Sequence, residues 1–325
     1  MKVLVTGANG FLSGHVVNEL LRNGYTVRAM MRAGAKAPAL IDLEVEVVYG
    51  NITNKSDIEK AVNGCDVVIH AAADTRQSHR KATDYFPVNV QATANIIEAM
   101  AALDCKKLIF VSSANTMGFG TLQQPGNENT PVSPVLLKSG YAKSKLVAQN
   151  LVQEAVKNQQ IEAVIVNPTF IIGPFDYNPH SGRIFKMILS RKITLCPPGG
   201  KNFVDVRDAA GAIVKAITNG KSGECYLLAG ENLSFRDFFQ KIRLLAHQKT
   251  ALLPIPVFML KVFGLFGSFV RFVGLNTELT LTNANILCQN NFFDNSKAVR
   301  HLGLPNTGIH NTIKDYLKWK HEEEN

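Results

Sequence analysis

At 325 residues, 46% hydrophobic and 19% charged, the chain can bury a sizeable core and reads as one large or two interlocked globular domains. Its net charge of +9 comes from lysines and arginines spread along the sequence, with no dense basic run or aromatic-interleaved patch, which argues against nucleic acid as a partner. A field of that sign suits a phosphorylated cofactor or an anionic membrane surface.

Strand and helix patterns alternate from the start. Residues 2–6 form a short β-branched run, and strand-like residues this early leave no room for a signal or transit peptide. Residues 11–23 place Leu12, Val16, Leu20 and Leu21 on a helical stripe, and Gly24 marks its stop. Strands are expected at 25–31 and 45–49. Ser56, Asp57, Ile58 and Glu59 read as a capping box that opens a short helix ending at Gly64. Further strands are expected at 66–71, 107–112 and 161–167, separated by helices over 89–103 and 141–158. This alternation implies an α/β fold with a parallel, doubly wound Rossmann sheet.

Beyond Pro168 the pattern becomes irregular. It gives a helix over 182–191, a strand over 203–206, a helix over 207–219, a strand over 225–229 and a helix over 235–247 capped by Ser234. The expected division is a dinucleotide-binding domain over 1–167 and a smaller substrate-binding lobe over most of 168–325. Residues 203–230 are expected to return to the sheet. The end of the chain, 318–325, reads as a frayed, solvated helix terminus.

Five scattered cysteines (Cys65, Cys105, Cys196, Cys225, Cys288), with no Cys-x-x-Cys pair, indicate reduced thiols in a cytoplasmic protein and no metal site. The sequons at Asn51 and Asn232 are then expected to carry no glycan.

Thr6-Gly7-Ala8-Asn9-Gly10-Phe11-Leu12-Ser13-Gly14 joins the first strand to the first helix. Glycines there permit a tight turn and let a pyrophosphate approach the backbone N–H groups at the helix N-terminus. Dinucleotide binding by Gly7, Asn9, Gly10, Phe11 and Leu12 follows. At the end of the second strand no Asp or Glu lies between Glu19 and Asp42, whereas Arg32 and Lys36 are both present. An acidic group there would suit the ribose of NAD, and a basic one suits the 2′-phosphate of NADP. NADP is therefore the expected cofactor, with NAD as the alternative.

Tyr141 and Lys145 stand four residues apart, so on a helix they share a face. A phenol titrates near 10 and needs help to act at neutral pH, and a nearby ammonium would lower its pKa. Such a pair is common by chance and gains meaning only from the nucleotide motif upstream.

Taken together, these motifs resemble the extended short-chain dehydrogenase/reductase superfamily (NAD-dependent epimerases and dehydratases), over nearly the whole chain. His70-Ala71-Ala72-Ala73, Asn89-Val90-Gln91-Ala92, Val111-Ser112-Ser113-Ala114 and Asn167-Pro168-Thr169-Phe170-Ile171-Ile172-Gly173-Pro174 match further segments in order. The resemblance implies that Ala71, Ala72 and Ala73 pass the adenine ribose, that Asn51 and Ile52 meet the adenine, and that Asn89 braces the active site. It also implies that the backbone near Pro168 and Ile171 holds the nicotinamide amide. Ser113, Tyr141 and Lys145 become the catalytic set. Tyr141 would exchange a proton with the substrate oxygen, Ser113 would hydrogen-bond that oxygen, and Lys145 would hold the nicotinamide ribose and, with the cationic oxidised ring, lower the tyrosine pKa. Departures are Ser13 in place of a third glycine, Asn51-Ile52 where many members have Asp-Leu, and Met117 where sugar-nucleotide epimerases carry tyrosine.

Within the superfamily the chain looks nearest to dihydroflavonol 4-reductases, 3β-hydroxysteroid dehydrogenases and hopanoid-associated epimerase-like proteins. That implies reduction of a ketone or aldehyde on a bulky, fairly apolar small molecule, or the reverse oxidation. The alternative is a nucleoside-diphosphate-sugar epimerase or dehydratase with tightly held NAD, for which Lys201 stands where an arginine is usual. A non-catalytic NADP-binding regulator is a third reading. Relatives also pair through two helices into homodimers.

Residues 251–275 are strongly apolar but interrupted by Pro254, Pro256, Lys261 and Arg271, which argues against a membrane-spanning helix. Lys261, Ser268 and Arg271 form one narrow polar stripe. The stretch reads as a lid over an apolar substrate, with peripheral membrane contact as the alternative.

Overall fold

A computed structural model describes residues 1–325 apart from 77, 78, 80, 178–180, 276 and 325. The first half runs β1 (Lys2–Thr6), α1 (Phe11–Arg22), β2 (Thr26–Met31), β3 (Glu46–Tyr49), α2 (Lys55–Val62) and β4 (Val67–His70). It continues with α3 (Ala92–Ala102), β5 (Lys107–Val111), α4 (Pro134–Leu137), α5 (Gly140–Lys157) and β6 (Glu162–Pro168). The second half runs β7 (Phe170–Ile172), α6 (Arg183–Leu189), β8 (Ile193–Cys196), β9 (Gly200–Asp205), α7 (Val206–Asn219) and β10 (Cys225–Leu228). It ends with β11 (Glu231–Ser234), α8 (Phe235–Leu245), β12 (Ala251–Pro254), α9 (Val257–Phe272), α10 (Leu281–Leu287), β13 (Asn290–Asn291), α11 (Ser296–Leu302) and α12 (Ile309–Glu324).

Seven strands form one parallel sheet in the order β10-β6-β5-β4-β1-β2-β3. Because side chains alternate along a strand, each strand supplies both faces. Val3 and Val5 of β1 pack with α1 and α7 residues such as Val16, Leu20 and Ile213. Leu4 faces the opposite way, with Ile58 of α2, Ile96 of α3 and Val152 of α5. This is the doubly wound α/β arrangement that the alternating pattern implies. The strand order reverses between β1 and β4, which opens a crevice at the carboxyl ends of those strands.

The smaller elements gather elsewhere. β9 pairs with β11, β13 and β7 in a second sheet, and β8 pairs with β12. Their core is aromatic: Phe203 stacks on Phe238 and Phe185 on Tyr316, each at 3.9 Å between centroids.

Four local expectations are corrected. The cap of α2 is Asn54, whose side chain accepts from Asp57 N, so Ser56 lies inside the first turn. Asn is as good a cap as Ser, and Asp57 then sits at the acid-favouring third position. The strand expected at 203–206 belongs to the second sheet, so the return to the large one begins with α7 at Val206. The polar stripe on α9 is split, with Lys261 exposed and Ser268 and Arg271 partly buried on the inner side. The last helix is anchored at Trp319, buried among Tyr177, Phe175 and Tyr316, while residues 321–324 beyond it are exposed as expected.

Candidate active site

The β1–α1 turn is built for close approach. Gly7 has φ +65°, and a Cβ there would lie 2.8 Å from the Ala72 Cα, so only glycine fits. Gly10 stands at the N-cap of α1 with no side chain covering it, and no acidic residue occupies the first turn. The first-turn N–H groups and the positive end of the helix dipole thus face the crevice without a built-in anion. Ala72 N donates to Thr6 Oγ1 (3.2 Å), and that hydroxyl also bonds His70 Nδ1 (2.8 Å), which straps the end of β4 to β1. His70 is fully buried, and burial drops its pKa to about 3, so it is a neutral structural residue. Ala71, Ala72 and Ala73, all half-buried, follow it along the crevice. A dinucleotide pyrophosphate fits this cradle.

Arg32 and Lys36 are both exposed just beyond β2. Arg28, on the same strand, is spent differently: it pairs with Glu46 and donates to the Ala61 and Asn63 carbonyls at the end of α2. Asn51 is exposed, but its carbonyl oxygen accepts from Thr53 N (3.1 Å) and Thr53 Oγ1 (2.9 Å). Only its NH2 group is left to meet an adenine. Ile52 is half-buried beside it. Pro168 ends β6, and Ile171 lies in β7 paired with Val204 of β9, so this segment bridges the two sheets.

The catalytic candidates converge where β5 meets α5. Ser139 caps α5 through its side chain, which accepts from Ala142 N (3.4 Å), and the first two turns then carry Tyr141 and Lys145. The Ser113 side chain, just past β5, hydrogen-bonds the Tyr141 phenol. Lys145 Nζ is fully buried, donates to the Val111 carbonyl at 2.7 Å, and lies 4.5 Å from the centroid of the Phe110 ring. One of its three protons is therefore committed and two are available.

The sequence expectation concerns the protein with its oxidised cofactor, and in the free protein the phenol is not lowered. Burial raises the Tyr141 pKa, and the hydrogen bond from Ser113 only partly opposes it. Lys145 does not pull the phenol down, because its ammonium is turned to Val111 and burial lowers its own pKa to about 7. In the free protein Tyr141 is thus a protonated phenol, an acid in waiting.

Asn89 braces this site from a π-helical turn at Pro87–Gln91, a break of the kind that recurs at functional positions. Its Nδ2 donates to Ser144 Oγ (2.9 Å) and to the Asp74 carbonyl (3.0 Å), while its Oδ1 accepts from Asp74 N (2.7 Å). It therefore ties α5 to the loop after β4.

Two further groups escaped the sequence reading. Gln149 Oε1 accepts from Ser112 Oγ (2.7 Å), Thr116 Oγ1 (2.9 Å) and Asn167 Nδ2 (2.9 Å), a buried hub that fixes the backbone on both sides of Ser113. Nothing in the sequence around Gln149 signals this, since its partners come from two segments distant from it in the chain. The second group is Asp74, Arg76, His79 and Tyr85. Burial would raise the Asp74 carboxyl, but hydrogen bonds from Arg76 and His79 hold it well below the usual range. Tyr85 donates to the Arg76 carbonyl and sets its ring edge-on to Tyr141, 6.2 Å between centroids. Thr75, on this loop, is exposed, and Met117 is buried. Lys201 lies 4.7 Å from the centroid of Phe170, and burial lowers its pKa to about 8.

Residues 3–229 match the model of the NAD dependent epimerase/dehydratase family. The chain is 28% identical over 321 residues to a putative dihydroflavonol 4-reductase of Synechocystis, covering 97% of this chain and 93% of that protein. It is 29% identical over 327 residues to sterol demethylase protein B of Methylococcus capsulatus, covering 99% of both. Among solved structures, that of gox2253 superposes with a TM-score of 0.87 at 26% identity, covering 99% of this chain and 98% of that one. The chain belongs to the NAD dependent epimerase/dehydratase family, within the extended short-chain dehydrogenases/reductases.

Proposed function

We propose that this member of the epimerase/dehydratase family is an NADP(H)-dependent oxidoreductase that reduces a ketone or aldehyde on a bulky, fairly apolar molecule. The observation that carries the reading is the contact of Ser113 with the Tyr141 phenol, protonated at neutral pH, one helical turn from the buried Lys145. A reduction needs an acid at the carbonyl oxygen, and that is the state in which this tyrosine rests. Bound NADPH would supply the hydride to the carbonyl carbon. The Ser113 hydroxyl would donate to the carbonyl oxygen as charge develops there, and Tyr141 would pass it the phenolic proton, giving the alcohol. Lys145, with two protons to spare, would hold the ribose hydroxyls of the bound cofactor. Arg32 and Lys36 would meet the 2′-phosphate, since the end of β2 offers exposed cations and no carboxylate.

The similarity to a putative dihydroflavonol 4-reductase and to a sterol demethylase protein supports a large, apolar substrate. On this reading residues 1–167 serve the cofactor and most of 168–325 the substrate. The test is NADPH consumption against a panel of aromatic and polycyclic ketones, with the wild type and Tyr141→Phe in parallel. Turnover lost in the variant while NADPH binding stays intact is the expected result. Equal turnover in both proteins would remove Tyr141 from the chemistry.

A further inference from the structure

Helix α9 is built inside out. Its inward stripe is Leu260, Gly264, Gly267 and Arg271, narrow and mostly small. A Cβ at Gly264 would lie 2.7 Å from the Ala284 Cβ, and one at Gly267 would overlap the Leu279 carbonyl oxygen, so these glycines let α10 and its approach pack tightly. The opposite stripe, at helical spacing, is Phe258, Val262, Leu265, Phe266, Phe269 and Phe272, all exposed, with Phe266 at 68% and Phe272 at 86%. A helix of a water-soluble surface turns its bulky apolar side inward, and this one turns it out. A contiguous apolar face of this size marks an interaction site.

Charge selects the occupant. No Asp or Glu lies between Asp237 and Glu278, nor between Asp176 and Asp205, although both spans contain several lysines and arginines. The pairing of β8 with β12 brings the two acid-free spans together immediately before α9, and it leaves Ile193, Leu195 and Leu253 exposed as well. Arg191, Lys192, Lys249 and Lys261 are exposed cations within these spans. A second copy meeting this face through its own α9 would oppose like charges. A surface of anionic lipid headgroups complements them. No helix among the described residues is long and apolar enough to cross a membrane, so α9 would lie in the interface.

We infer that α9 docks the protein on anionic lipid bilayers and sets the mouth of the catalytic crevice against the lipid. Arg271, near the C-terminus of α9, donates to the His79 carbonyl. His79 in turn packs edge-on against Tyr85 (4.7 Å), the ring that abuts Tyr141. The docking helix and the catalytic tyrosine are thus linked through one loop. The docking face itself stands on geometry and charge and does not depend on which reaction Tyr141 performs.

The test is co-sedimentation of the purified protein with phosphatidylcholine vesicles, with and without one third phosphatidylglycerol, for wild type and Phe266→Glu/Phe269→Glu. Both substituted positions are solvent-exposed, and an unchanged thermal midpoint confirms folding. Wild type should partition at least tenfold more onto the anionic vesicles, release at high salt, and lose binding in the double variant. Wild type that stays in the supernatant, or binds neutral vesicles equally well, overturns the inference. So does a wild-type dimer that the double variant converts to monomer without any vesicle binding, which would give the face to a second copy.

Discussion

Replacing Lys145 by methionine should yield a more stable and less active protein. The ammonium is fully buried, and burial drops its pKa from 10.5 to about 7. An unfolded lysine keeps its proton up to about 10.4, so at pH 7 the folded state carries a penalty of about 4 kcal/mol. Methionine removes the charge at similar volume but leaves the Val111 carbonyl without its donor, a loss of about 1–3 kcal/mol. The net gain is about 2 kcal/mol, or roughly 3 °C in Tm for a chain of this length. The sign with pH follows from linkage. Below pH 7 both states hold the proton and the penalty is full. As pH rises from 7 toward 10.5 only the folded state gives up its proton, so the wild type recovers, the gap to the variant closes and then reverses, and the lost Val111 bond leaves the variant the less stable protein near pH 10. Thermal melts of nucleotide-free protein between pH 6.5 and 10 would measure this. A variant less stable at pH 7, or a gap that stays constant across the range, would refute the picture of a desolvated lysine held ready for the ribose.

Three other variants probe the cradle and the chemistry. Tyr141→Phe should cut turnover by at least about a thousandfold, since it removes the proton donor, with NADPH affinity unchanged in a fluorescence titration. Arg32→Ala/Lys36→Ala should weaken NADPH by about ten- to a hundredfold through lost charge-assisted contacts while leaving NADH untouched, and calorimetry would compare the two. Gly7→Ala should lower stability by about 1–3 kcal/mol through its φ of +65° and its contact with Ala72, and should weaken nucleotide binding along with it; a denaturant titration with unchanged midpoint would contradict this.

The Rossmann half is legible in the sequence because its signals are local. Runs such as Val3-Leu4-Val5 and Val67-Val68-Ile69 are bounded by glycines or caps, and parallel strands covered on both faces leave continuous apolar stretches. The strand near Phe203 was equally visible, but nothing in its residues says which sheet it joins. Tyr141 and Lys145 are legible as a spaced pair and Ser113 only through the family resemblance, and the structure brings Ser113 to the phenol of Tyr141. Their electrostatics were not legible, because the direction of the Tyr141 shift depends on burial and on the turn of Lys145 toward Val111. Gln149 is hidden for a related reason, since its partners are distant in sequence, whereas Asp74 pairs with the nearby Arg76 and His79 and only its burial is invisible in the sequence. The apolar character of 251–275 was plain, but that α9 hides its glycines and shows its phenylalanines emerges only from packing against α10.

Cofactor preference separates a reductase from an epimerase most directly. Purified protein should be analysed for retained nucleotide and then titrated with NADPH and NADH. Nucleotide-free protein that binds NADPH reversibly and much more tightly than NADH is what a dissociating reductase with Arg32 and Lys36 at the 2′-phosphate predicts. Stoichiometric NAD carried through purification, with no preference for NADPH, would contradict it and favour an epimerase or dehydratase instead.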